Sequence, residues 1–385
     1  MGRGHYAMPL MPAPLIARRQ VLSAAGVAAA SLFGCGGQTQ PFSGFAAIVK
    51  ANSPSVALVD LAAFTLVSKI EFPEPISQLL YAPATRLLYA VSAAAGMIFE
   101  YDWAARRHAR HVRAGESPVE ARFDPNEPSL WVSVSAPPSL VKIPLREFLL
   151  QTRISLPSTP VSFDAANWEA RIAASLSGGG LALVNHSGLG EATVLRPTEQ
   201  FGLLRFRSDG KQFLAANLTE KSISVVRAAD AQAVVDLPVA MEARNFCFKP
   251  DGGQLFVTDG QAGGVAIIYP YTTEVDRAVL AGKSPGAMAA CANPPYLLVA
   301  NRESSDITVL DLDSGKLVAI VPVGTAPSFV AITPDNQYAL ALNAASGDMA
   351  VIRLSAVRSR RNKSAPLFTM IPVGEAPVSL AVIPA

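Results

Sequence analysis

Charged and aromatic side chains are scarce in this chain. Asp, Glu, Lys and Arg make up 16% of its 385 residues and aromatics 7%, while half of the residues are hydrophobic. Residues 1–34 carry Arg3, Arg18 and Arg19 but no acid, so setting them aside turns a formal charge of +2 into 29 basic against 30 acidic residues. That balance provides no basic face and excludes a nucleic-acid partner. Three cysteines are too few for a disulfide scaffold. Histidine is nearly as rare: beyond the N-terminus only His108, His111 and His186 occur. No CxxCH, GxSxG or phosphate-loop motif is present, which leaves covalent haem, a hydrolase elbow and a nucleotide cradle without support.

What the chain has in quantity is punctuation. Its 27 glycines and 30 prolines are spread at intervals, as many turns require. "YLLVANRESSDITVLDLDSGKLVAIV" (Tyr296–Val321) reads as three short apolar strands separated by two polar turns. It is one copy of a repeat. Steps of 42 residues from Asn301 land on Ser133, Ser175, Asn217, Asp259 and Asn343, all small and polar, and three positions earlier stand Leu130, Ile172, Leu214, Phe256, Leu298 and Leu340. A second phase, Asn167, Asp209, Asp251, Asn293 and Asp335, marks tight turns, because Asx side chains accept backbone hydrogen bonds there. A period of about 42 residues with four strands per copy predicts an all-β propeller of four-stranded antiparallel blades. Eight units are counted, with seven as the alternative; inner strands begin near Pro75, Pro118, Pro160, Gly202, Arg244, Pro285, Pro327 and Pro377. "GEAPVSLAVIPA" (Gly374–Ala385) is a first strand with nothing after it, and its three partners lie in Phe45–Pro73, so the C-terminal strand is expected to close the ring.

The N-terminus reads as an address. Arg18-Arg19 precede an apolar run from Val21 to Phe33, shorter than the roughly 20 residues of a membrane span. The pair followed by Gln20, Val21 and Leu22 resembles a twin-arginine export signal, and "LFGC" (Leu32–Cys35) resembles the lipobox of bacterial lipoproteins, which implies lipidation of Cys35. The expected division is a signal peptide over 1–34, a linker over 35–43 and a propeller over 44–385. The protein is then exported and held at the envelope membrane through its lipid, on the periplasmic or the cell-surface side.

"LFVTDG", "LLVANRESSDITVLDLDSGKLVAIVPVG" and "PSFVAITPDNQYALALN" resemble the YVTN-type propeller repeat of bacterial and archaeal surface and periplasmic proteins. The likeness covers Phe45 to Ala385 and is sharpest in the last three copies. It implies the fold; related propellers include lactonases, haem-binding domains and binding scaffolds, so it implies no single activity.

Candidate sites come from what does not repeat. Loops leading into inner strands read "PEPI", "GESP" and "GEAP" on consecutive blades and place Glu74, Glu116 and Glu375 around one mouth of the channel, with Glu199 and Glu242 further round. Such an acidic arc suits a divalent cation or a cationic ligand. The set Asn217, Asp259, Asn301 and Asn343 is read as turn caps. "HARH" (His108–His111) is not a metal pair, since positions i and i+3 of a strand face opposite ways. "SGGG" (Ser177–Gly180) is read as a hairpin turn. Cys247 and Cys291 sit in apolar runs, as buried free thiols do. Arg353, Arg358, Arg360, Arg361 and Lys363 form a basic insertion expected on the face opposite the acidic arc. Two functions are open, and a third, a redox-cofactor site in the central channel, is disfavoured by the scarcity of His and Met ligands. One is a monomeric, lipid-anchored binding scaffold without a cofactor, its partner an envelope protein or a small ligand. The other is a lactonase-like hydrolase with a metal at the channel mouth.

Overall fold

The computed structural model describes residues 42–385 except 169, 188–191, 262 and 358–364. The export signal with Arg18 and Arg19, the lipobox Cys35, and four of the five basic residues of the insertion lie outside the described residues. Arg353 is described; its guanidinium lies over the Phe368 ring, 4.4 Å from the centroid.

Thirty-two strands of the described chain form eight four-stranded antiparallel sheets. Blade 1 combines Gly44–Lys50, Ser55–Asp60 and Thr65–Glu71 with the C-terminal strand Pro377–Pro384 as its innermost member. The others follow in chain order, inner strand first. Blade 2 opens at Gln78–Ala82, blade 3 at Glu116–Phe123, blade 4 at Pro160–Ala165 and blade 5 at Phe201–Phe206. Blade 6 opens at Asn245–Phe248, blade 7 at Pro285–Ala292 and blade 8 at Pro327–Ile332. The protein is an eight-bladed β-propeller.

Burial follows from this arrangement. Each sheet is covered on both faces by its neighbours, so the second and third strands of a blade become continuous apolar runs rather than alternating ones. In blade 7, Leu297 to Ala300 and Ile307, Val309 and Leu310 are all buried, while in the outer strand Leu317–Pro322 only Val321 is. Eight apolar clusters fill the seams, such as Leu340, Leu342, Val351 and Ile371 of blade 8 against Ala46, Ile48, Ala57 and Val59 of blade 1.

Turns join these strands by local chemistry. Asp60, Asp209, Asp251, Asp311 and Asp335 each accept a backbone N–H two or three residues on, at 2.7–3.1 Å. In the loops before the inner strands, the residue preceding proline is left-handed: Ser117, Ser284, Ala326 and Ala376 have φ of 46–58°. This swings the chain from an outer strand into the next blade. The ring is shut by pairing of Gly44 with Pro384 through Ile48 with Leu380, and Ala385 N–H donates to Ser43 O at 3.1 Å. Both chain ends of the propeller therefore lie on the face opposite the loops that carry Glu74, Glu116 and Glu375.

Candidate functional site in the central channel

From blade 6 through blades 7, 8 and 1 and on to blade 5, consecutive inner strands lie side by side around the axis, and their composition is lopsided. Those of blades 6, 7, 8 and 1 read NFCF, PGAMAACA, PSFVAI and PVSLAVIP, without a charged residue. Blades 3, 4 and 5 supply Glu120 and Arg122, Asp164, and Arg205 at inner-strand positions. The channel thus has one ionic wall and one apolar wall.

The four charges form a single network. Glu120 Oε1 accepts from Arg122 Nε at 2.9 Å and from Arg122 Nη2 at 2.7 Å, and from Arg205 Nη2 at 3.4 Å. The last contact joins blade 3 to blade 5 and skips blade 4, so these side chains meet in the lumen. Glu120 Oε2 accepts from Ser162 Oγ at 3.3 Å, and Arg205 Nη1 donates to Ser162 Oγ at 3.1 Å and to Leu204 O at 2.6 Å. Arg122 Nη1 stands 3.6 Å from Asp164 Oδ1, a distance for attraction rather than a hydrogen bond. Asp164 Oδ2 accepts the Phe206 N–H at 2.8 Å. In the same manner Gln78 of blade 2 clasps both the N–H and the C=O of Ala121, at 2.8 and 2.9 Å. Side chains of blades 2 and 4 thereby satisfy the bare channel-facing edge of the next inner strand.

These groups are open to the lumen yet deep in the molecule. Their side chains are 19–27% exposed. Burial raises the Asp164 carboxyl above its ordinary range, although Arg122 and Arg205 pull against it. Burial lowers the Arg205 guanidinium, and repulsion by Arg122 adds to that. Two poorly solvated cations share one carboxylate. On the apolar wall, burial pushes the Cys247 thiol up to about 12, which keeps it protonated and inert. Cys247 and Cys291 are free thiols.

Glu74, Glu116 and Glu375 all stand exposed on one face, yet among the described residues no group of three His, Cys, Asp or Glu side chains is placed to hold a metal ion. A pocket of about 230 Å³ near Glu74 is lined by Asn52, Pro75, Ile76 and Ala93 among others, and by no carboxylate. Glu199 is engaged by Arg196 Nη1 at 3.4 Å and by Asn217 Nδ2 at 2.5 Å, and Glu242 by Arg244 at 2.8 Å. Of the small polar positions at the 42-residue step, Asn217 Oδ1 accepts the Glu220 N–H at 3.0 Å and Asp259 Oδ1 the Gln261 N–H at 2.8 Å. Asn301 and Asn343 are fully buried and donate Nδ2 to Asp306 and Asp348, each at 2.6 Å. In blade 6 the buried place belongs to Thr258, whose Oγ1 donates to Gly286 O of the next inner strand at 2.8 Å. Gly179 and Gly180 of the SGGG run have φ of 97° and 88°, which glycine adopts freely in a tight turn. His108 and His111 lie exposed on the outer strand of blade 2, with His108 Nε2 2.8 Å from Glu71 O.

His186 is buried elsewhere. Its Nε2 lies 2.8 Å from Asp124 Oδ2, which also accepts from Trp131 Nε1 at 2.9 Å, with Lys142 Nζ at 3.9 Å. Burial alone would raise the Asp124 carboxyl, but hydrogen bonds from His186, the Asn126 backbone and Trp131 hold it below its ordinary range. This knot ties blade 3 to blade 4 away from the channel.

The ionic wall is absent from the sequence-derived candidates, although a trace of it was available. The 42-residue step through Arg122 and Asp164 continues with Phe206, Phe248, Ala290 and Ile332, and that through Arg205 with Cys247, Ala289 and Ala331. Charge at an inner-strand position that is apolar in other copies is the mark of this site.

No protein-family model and no curated protein sequence matches the chain. Solved structures do. Dihydro-heme d1 dehydrogenase NirN, solved in complex with DHE, is 16% identical over 88% of this chain and 75% of its own, with a TM-score of 0.73. Citrobacter koseri AztD is 12% identical over 89% of this chain and 98% of its own, at 0.68. The periplasmic gluconolactonase PpgL of Pseudomonas aeruginosa is 17% identical over 88% and 99%, at 0.60. At these identities the likeness establishes the propeller fold.

Proposed function

We propose that the chain is a YVTN-type, lipid-anchored binding propeller of the cell envelope whose ligand enters the central channel. The observation that carries this reading is the convergence of Glu120, Arg122, Asp164 and Arg205 from three blades into a lumen whose other inner strands are uncharged. Buried charge is costly to a fold, and a mixed polar and apolar concavity is what small-molecule recognition requires. Among the described residues no helix is long and apolar enough to cross a membrane.

The test is native mass spectrometry of the full chain extracted from membranes in mild detergent. A co-purifying small molecule, lost from an Arg122→Ala/Arg205→Ala variant, is the expected result. A preparation that retains no ligand and binds none of a broad metabolite library would overturn the reading.

A lactonase-like hydrolase is the second reading, favoured by the raised Asp164 carboxyl in the channel, a position suited to a general base. Lactone opening assayed with and without divalent cations, in wild type and in Asp164→Asn, decides it. Turnover lost in the variant supports the enzyme, and absence of turnover under all conditions removes it.

A further inference from the structure

The ionic wall has donors left over. Glu120 is saturated by Arg122, Arg205 and Ser162. Asp164 has one oxygen on the Phe206 N–H. Each guanidinium carries five N–H donors. Among the described residues, Arg205 Nε has no acceptor, and Arg122 Nη1 has only Asp164 at 3.6 Å. Both guanidiniums reach the same Glu120 oxygen, so they stand close together in the channel, each with a donor that has no close acceptor among the described residues. What completes this geometry is an acceptor with two oxygens.

Resting on the binding reading above, we propose that the channel takes a small organic monocarboxylate, its carboxylate bridging Arg122 and Arg205 and its apolar body directed toward the uncharged inner strands. Bidentate guanidinium–carboxylate pairing is strong and geometrically exacting, and a site only a fifth to a quarter open screens it little. Charge count separates a carboxylate from a phosphate. Glu120 and Asp164 already offset both arginines, and a protonated Asp164 leaves one positive charge, the match of one carboxylate. A phosphate dianion would overfill the site. The charged groups facing Asp164 are Glu120 and Arg122 from blade 3 and Arg205 from blade 5; the inner strands of blades 6, 7, 8 and 1 offer only the Cys247 and Cys291 thiols, both raised by burial, and that of blade 2 the Tyr81 phenol. Binding of the anion therefore favours the protonated Asp164, and affinity rises as pH falls.

Calorimetric titration of the full chain in detergent at constant ionic strength tests this with four probes: hexanoate, inorganic phosphate, hexylammonium and a neutral lactone. Hexanoate alone should bind, with affinity falling at least tenfold in Arg205→Lys and Arg122→Lys, which keep the charge but lose the fork, and unchanged in Arg227→Ala, a surface control paired with Asp230. Hexanoate should bind more tightly at pH 5 than at pH 8, and Asp164→Asn should flatten that difference. Preference for phosphate overturns the carboxylate assignment. Binding of the amine or the lactone, lost in the arginine variants, overturns the anionic class while keeping the channel as a binding site. No binding by any probe, with no co-purified molecule, removes both. Circular dichroism of each variant separates lost binding from lost fold.

Discussion

At the scale of single residues, two carboxylates with opposite pressures make contrasting predictions. Asp164 is disfavoured when ionised, because burial outweighs its arginines. A raised folded-state value means that its stabilising contribution is complete below the ordinary carboxylate range and fades as pH climbs through the raised value. Asp164→Asn keeps an acceptor for the Phe206 N–H and removes the charge, so it should stabilise the protein at pH 8 and leave stability unchanged at pH 4, read by denaturant unfolding. Asp124 is the reverse case: its side chain is fully enclosed and held below the usual range by His186, Asn126 and Trp131. Its contribution is present above the ordinary carboxylate range and lost as pH falls through the depressed value. Asp124→Ala removes the acceptor shared by Trp131 Nε1 and His186 Nε2, while Lys142 keeps Glu127 at 2.7 Å and Trp131 Nε1 keeps His186 Nε2 at 3.0 Å, and urea unfolding at pH 7 should show a loss of about 1–3 kcal/mol.

At the scale of elements, the closing strand is the critical one. Pro377–Pro384 covers the edge of Gly44–Lys50 and brings Ile383 into a seam where it is fully buried. Ile383→Ala should lower stability by about 2–5 kcal/mol, measured by thermal and chemical unfolding. Deleting residues 377–385 opens an unpaired edge in blade 1; light scattering should show association that the full chain does not display. Element order, turn positions and the eightfold count were readable from spacing, because a strand covered on both faces is apolar throughout and an Asx turn is a local device. The slip in blade 6 was not readable. Thr258 and Asp259 are adjacent, and only pairing with Asn245–Phe248 decides which of them is buried.

At the scale of the whole molecule, the proposed attachment through Cys35 can be tested independently of the channel. Cys35→Ala should shift the protein from the membrane to the soluble envelope fraction and abolish incorporation of labelled palmitate, with the propeller's melting temperature unchanged. If the wild type takes up no label, the anchor proposal fails. Replacing Arg18 and Arg19 by Lys should leave unexported precursor in the cytoplasm, followed by fractionation.

The amino-acid sequence by itself determined a ring of four-stranded blades closed by its own last strand, since the 42-residue interval, the turn chemistry and the unmatched final strand are each local and each point the same way. It also indicated which loops carry acid. Only the tertiary structure decided where the charges meet. Glu120 and Arg205 are 85 residues apart, on blades that are not neighbours, and no spacing rule links them. They join because inner strands curve around a common axis, so that side chains ordinary in number become a half-buried network by position alone. The same geometry left Glu74 and Glu375 as exposed loop residues and Glu116 exposed at the first position of its inner strand, because residues at one mouth need not converge merely by occupying equivalent places in consecutive blades.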